Sequence, residues 1–283
     1  MMKTPLIPLL LSAALISSIA TSAWSKDNGF STLQQQHIQL PTLEFQQIMQ
    51  TFYRGKLIQP RIEDELIRSY PNIGLKSGDK SVEQLVALMH PIVTYKNAAA
   101  EQRFLVMIEM VNMTAQGQLD NCHACVGTAD LYSFKQLSNG QFELVSRSTP
   151  DAEFAGSFGR VHVDLSKPAQ ALGQNLVGMM TQNGFSNTGE TEQWWEALHL
   201  PENNYIQLYY VADAGGDNLG NYDEKSPSAY TYSSKMTVIK DKSDYYPIKI
   251  KYTGKKYSND HDRVKPYNVV DTKHFNVAKN KYE

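Results

Sequence analysis

Cysteine is scarce in this 283-residue chain, which has two, and neither sign of charge is in surplus: 27 Lys and Arg face 29 Asp and Glu, a formal net charge of −2. Two cysteines exclude a disulfide-dense scaffold, which small secreted domains use in place of a core. Nucleic-acid binding normally leaves clustered Lys and Arg. Here the one basic tilt is around Lys249, Lys251, Lys255 and Lys256, so no nucleic-acid partner is expected. A membrane-spanning run is missing as well. The apolar stretch from Leu6 to Ala20 is broken by Pro8, Ser12, Ser17 and Ser18, short of the roughly 20 continuous apolar residues a spanning helix needs. There is no G-x-S-x-G, no H-E-x-x-H and no G-x-x-x-x-G-K, which removes the standard signatures of serine hydrolases, zinc proteases and phosphate loops.

What is present begins with a leader. Residues 1–25 carry one cation, Lys3, then the apolar stretch, then small residues. That order predicts a cleavable signal peptide, cut after Ala23 or Ser25. No cysteine lies near the cut to take a lipid. The expected product is soluble, periplasmic or secreted, without a membrane span after cleavage, and one unit more negative than the precursor. A chain of this length can bury a large core.

Apolar spacing between Leu43 and Tyr70 predicts two short helices, with Pro60 suited to a first turn. Ser81 followed by Gln84 reads as a capping box ahead of Leu85, Val86, Leu88 and Met89, predicting a third helix that stops before Pro91. Residues 26–100 thus read as a helical N-terminal region. Residues 101–283 read as a β-rich domain: an apolar run from Phe104 to Met113, then Leu131 to Val145 alternating around Ser138-Asn139-Gly140, a hairpin turn signal. Further strands are expected at 160–165, 205–211, 230–239, 246–252 and 274–277. One helix, Thr191 to Leu198, is expected among them, with Pro201 beyond its end. The expected class is α+β, with N-terminal helices packed on a mainly antiparallel β-sheet body, a meander or sandwich.

Both cysteines stand in Cys122-His123-Ala124-Cys125. Val126 follows where covalent haem would need histidine, and no second ligand pair supports structural zinc. Two readings stay open. A thiol-disulfide site would use Cys122, His123 and Cys125, the histidine lowering a thiolate pKa. A structural disulfide in an oxidising compartment is the preferred reading, because a hairpin pattern follows where a redox motif should open a helix. The segment Asn121-Cys122-His123-Ala124-Cys125-Val126-Gly127, with Phe134 and Phe142 in the hairpin after it, resembles exported bacterial proteins of unknown function that carry a CHAC motif. The resemblance is confined to this segment. It implies a periplasmic or secreted location and brings no catalytic residue.

Asp213, Asp217, Asn218, Asn221 and Asp223 lie along a glycine-rich segment. Oxygen donors so spaced are candidates for Ca²⁺, although Asp, Asn and Gly equally make a solvated turn, and no cofactor is the preferred expectation. Trp194 and Trp195 on the expected helix would point about 100° apart, leaving one for an interaction surface. The tyrosine-rich stretch 205–257 can form a sugar or peptide platform or serve cross-strand packing. His90 and His199 are expected at helix ends. Together these features favour a non-catalytic binding or envelope-interaction protein, its partner an envelope or extracellular protein or a small ligand. The alternatives are an oxidoreductase at the CxxC or a hydrolase with an unrecognised site.

Overall fold

The apolar run from Phe104 to Met113 lacks the polar alternation of a half-exposed strand, a pattern that fits a strand covered on both faces. That is its place in the computed structural model, which describes residues 38–120, 122–149, 152–154, 156–258 and 263–283. The first half comprises β1 (Gln39–Leu40), α1 (Phe45–Phe52), β2 (Leu57–Ile58), α2 (Glu65–Arg68), β3 (Asn72–Leu75), β4 (Gln84–Met89), β5 (Val93–Lys96), β6 (Gln102–Met113), β7 (Gly127–Gln136), β8 (Phe142–Ser148) and β9 (Glu153–Phe154). There follow β10 (Gly156–Ser157), β11 (Arg160–Val161), β12 (Gln170–Ala171), β13 (Val177–Asn187), β14 (Glu190–Leu200), β15 (Tyr205–Asp217), β16 (Thr231–Val238) and β17 (Ile248–Tyr257). The chain closes with β18 (Val264–Pro266), β19 (Val270–Lys273), β20 (Phe275–Asn276) and β21 (Lys281–Tyr282).

In the first half β2, β3, β4, β6, β7 and β8 pair antiparallel in that order, and β5 takes the edge of β6 beyond the end of β4. In the second half β12 to β17 pair antiparallel in sequence, with β18 and β19 on the outer edge of β17. Strand β15 joins the halves: Tyr205 and Ile206 pair parallel with β8, and its later residues pair with β14. The result is one large mixed sheet.

Side chains alternate across β6. Val106, Ile108 and Met110 face α1, where they pack with Ile48 and Met49. Leu105 and Met107 face the second half, meeting Met179 and Leu198. Val111 and Met113 meet Val86, Leu88 and Ile67 of α2. A further cluster in the second half gathers Met180, Ala197, Val211, Ile248 and Ile250.

The expected α+β class, with N-terminal helices packed on the sheet, is therefore corrected: the fold is β-rich. The two short helices expected between Leu43 and Tyr70 are present as α1 and α2, but they are the only helices among the described residues. The third expected helix is β4, hydrogen-bonded on both sides by β3 and β6. Its supposed capping box does not form, one partner being taken locally and the other by tertiary contacts. Ser81 Oγ bonds Asp79 at 2.8 Å, and the Gln84 side chain joins the backbone of Arg61 and Thr114. The expected helix at 191–198 is β14, enclosed by β13 and β15. In both segments the apolar residues fit either period, and pairing on two sides selected strand. The hairpin at Ser138-Asn139-Gly140 forms as expected between β7 and β8. The segment expected to be a signal peptide, residues 1–25, lies outside the described residues. No described helix is long and apolar enough to cross a membrane.

Candidate functional site

Cross-strand pairing on β14 and β15 sets Trp194 opposite Asp213 and Glu196 opposite Tyr210, so these four side chains share one face. Register shifts flank the Trp194–Trp195 pair, and a bulge of this kind re-aims side chains. Beyond β15, Tyr232 of β16 has a glycine directly opposite on each neighbouring strand, Gly216 on β15 and Gly254 on β17. A Cβ on Gly216 would stand 3.2 Å from the Tyr232 ring, and one on Gly254 would meet Tyr232 at 2.6 Å. The two glycines open the sheet surface where that ring lies. The outcome is a groove of about 680 Å³ walled by Trp194, Tyr210, Tyr230, Tyr232 and Tyr257.

The polar groups of the groove are fixed. Asp213 accepts from Tyr210 Oη at 2.7 Å and pairs with Lys256 Nζ at 2.9 Å. The ammonium also lies 4.7 Å from the Tyr232 ring centroid, over its π face. Burial would raise the Asp213 pKa, but the bonds from Tyr210 and Lys256 outweigh it and hold the carboxylate below its usual range. Burial lowers the Lys256 pKa and the contact with Asp213 more than restores it, so the pair is charged and mutually neutralised. Burial, then the bond to Asp213, raises the Tyr210 hydroxyl, and burial with Glu190 nearby pushes Tyr230 up to about 12. These phenols remain neutral donors at physiological pH. Trp194 Nε1 donates to Glu196 Oε1 at 2.9 Å, which fixes its ring. The Ser258 hydroxyl, also lining the groove, is buried without a hydrogen-bond partner among the described residues.

The two tryptophans separate. Adjacent strand residues point to opposite faces, so Trp194 lines the groove while Trp195 packs against the second-half core, its Nε1 donating to Ser234 Oγ at 2.9 Å. The expectation of two rings about 100° apart on a helix is corrected accordingly.

The glycine-rich segment is distributed over structural tasks. Asp213 belongs to the groove. Asn218 is fully buried, its amide donating to Ser228 O at 2.9 Å and accepting from Tyr230 N at 2.8 Å. Asn221 donates to Thr188 O at 2.7 Å, while Asp217 and Asp223 accept from the backbone N–H groups of Leu219 and Lys225. Among the described residues no three His, Cys, Asp or Glu side chains are grouped to hold a metal ion.

Cys122 and Cys125 are joined in a disulfide. It closes a turn in which Cys125 N donates to Cys122 O at 3.1 Å, and Cys125 O accepts from Gly159 N at 2.9 Å. The turn runs into β7, not into a helix. The His123 ring packs between Phe158 and Phe185, with centroids 5.0 and 5.1 Å away.

His90 and His199 do not end helices. His199 lies on β14 inside a ring cluster of Tyr209, Tyr245, Phe275 and Tyr282, its Nε2 2.8 Å from Tyr282 Oη. Burial lowers its pKa to about 3. His90 follows β4 and lies 2.7 Å from Glu109 Oε2. Glu109 is fully buried and bonded to Arg160 Nε at 2.7 Å, Arg160 Nη2 at 3.0 Å and Val161 N at 2.8 Å. Sequence reasoning passed over this triad. Its one signal was an acid inside the apolar run 104–113.

Comparison with known proteins finds no family, no curated protein and no solved structure that matches the chain.

Proposed function

We propose that this is an exported, soluble, non-catalytic binding protein whose ligand is an envelope or extracellular saccharide laid along the Trp194 groove. The observation that carries the reading is the alternation of ring faces with fixed hydrogen-bonding groups around an internally neutralised Asp213–Lys256 pair. A sugar offers apolar C–H faces for rings and hydroxyls for polar groups, and carries no net charge to disturb that pair. A volume of about 680 Å³ suits a small ligand. The disulfide gives no support to a thiol-exchange reading, since the turn that holds it leads into β7 and not into a helix whose N-terminus would stabilise a thiolate.

The test is titration of the mature protein with neutral oligosaccharides, β-linked glucan and N-acetylglucosamine oligomers, followed by tryptophan fluorescence and calorimetry. Binding is expected in wild type and about tenfold or more weaker in Trp194→Ala, a difference of about 1.4 kcal/mol. Absence of binding across the panel, or binding indifferent to Trp194→Ala, overturns the reading. Export is tested by intact mass: a product beginning at Trp24 or Lys26 supports it, and retention of Met1 to Ala23 refutes it.

A further inference from the structure

A second cavity, on the first half of the sheet, has a different chemistry. Where α1 ends, Phe52 and Tyr53 overhang the face of β7 and β8, and a cleft of about 520 Å³ opens there, within the usual range for small-molecule sites. Its walls divide by polarity. Phe52, Leu85 and Met110 supply an apolar side continuous with the core, Arg147, with Lys56 and Lys76 at the rim, supplies cations, and the Asp79 carboxylate, which also lines the cleft, is engaged by Ser81. Arg147 stands directly opposite Tyr132 across β7 and β8. Its Nε is buried and has no hydrogen-bond partner, and no carboxylate pairs with its guanidinium among the described residues. Arg103, by contrast, is met by Glu101 and Glu202, and Arg160 by Glu109. A buried guanidinium N–H left unmatched is costly, and a bidentate oxyanion is the group that fits it.

The floor of the cleft limits which oxyanion. Asp130 accepts from Tyr53 Oη at 2.5 Å and from Tyr132 Oη at 3.3 Å. Burial foremost raises both phenol pKa values, so both stay protonated, Tyr53 donating to Asp130 and Tyr132 donating between Tyr53 Oη at 3.2 Å and Asp130. A carboxylate already in the floor disfavours a doubly charged ligand, while a singly charged head can still meet Arg147. We infer that this cleft binds a small organic carboxylate with an apolar body, its head group on Arg147 and its tail against Phe52, Leu85 and Met110. This site stands apart from the Trp194 groove and does not depend on the saccharide reading.

The experiment titrates the mature protein with octanoate, with octanol as the uncharged counterpart and inorganic phosphate as the anion without a tail. Octanoate binding is expected, about tenfold or more tighter than octanol, and weakened by a similar factor in Arg147→Gln. Trp194→Ala should leave it unchanged, which separates failure here from failure of the groove. Should Arg147→Gln not fold, the wild-type protein still decides: the Met110 methyl resonance, assigned by its loss in Met110→Leu, shifts on octanoate addition if the tail lies where proposed. Overturning results are no octanoate binding, equal affinity for octanol, phosphate binding in its place, or a Met110 methyl that does not move.

Discussion

Glu109 shows how much one polar residue can organise inside an apolar strand. Burial alone would raise its pKa, yet the bonds from His90, Arg160 and the Val161 N–H prevail and lower it to about 2. Through those bonds the carboxylate fastens the 160–161 segment to the sheet between two apolar clusters. Removing one partner of a buried ion pair strands the other, at a cost of about 3–5 kcal/mol, whereas replacing both by apolar residues is often far milder. Glu109→Met is therefore expected to lower unfolding free energy by about that amount, and the Glu109→Met/Arg160→Met double variant to recover part of it. Urea denaturation of the four members of the cycle measures both. The Cys122–Cys125 bond closes so short a loop that its chain-entropy contribution is only about 2 kcal/mol. Cys122→Ser should remain folded, with a denaturation midpoint lowered modestly.

At the level of elements, the loop after β15 is a brace, docked on the β13–β14 turn. Gly220 N donates to Gly189 O at 3.1 Å, and Asn221 ties the same turn through Thr188. A Cβ on Gly220 would stand 2.6 Å from Gly189 Cα, so the two backbones can touch only with glycine there. Gly220→Ala must push them apart, and a loss of about 1–3 kcal/mol is expected. Because Glu190 and Thr191, just beyond that turn, wall the Trp194 groove, the variant should weaken saccharide binding as well as melting temperature. Unchanged melting by calorimetry would show that the loop is not a brace.

For the whole molecule, acid should weaken the fold in two overlapping steps. His199 is held neutral by burial, with a pKa near 3 against 6.5 when unfolded. A depressed folded pKa means that its stabilising share is complete above pH 6.5 and is lost as pH falls toward 3, at up to about 1.4 kcal/mol per pH unit. Glu109 adds a second stabilising share, complete above its ordinary value of 4.5 and lost as pH falls toward 2. Unfolding free energy is thus expected to decline from pH 6.5 downward and more steeply below 4.5. In His199→Phe the upper part of that decline should flatten while the lower part persists. A wild-type profile that is level between pH 6.5 and 4.5 would contradict the burial of neutral His199.

The sequence by itself determined the features that rest on local chemistry. The strand at 104–113, the Asn139-Gly140 turn, the two short helices before Tyr70 and the pairing of Cys122 with Cys125 across two residues were all legible, because each depends on residues adjacent in the chain. Only the tertiary structure decided the rest. Residues 84–89 and 191–198 suit a helix or a strand alone, and neighbours on both sides made them strands, which in turn sent Trp194 and Trp195 to opposite faces. Neither candidate cavity could be read from spacing: Trp194, Tyr232 and Lys256 meet across four strands, and Arg147 meets Tyr53 only through the packing of α1 on the sheet. Strand order and register bring distant residues together, and a single chain read in line carries no direct signal of either.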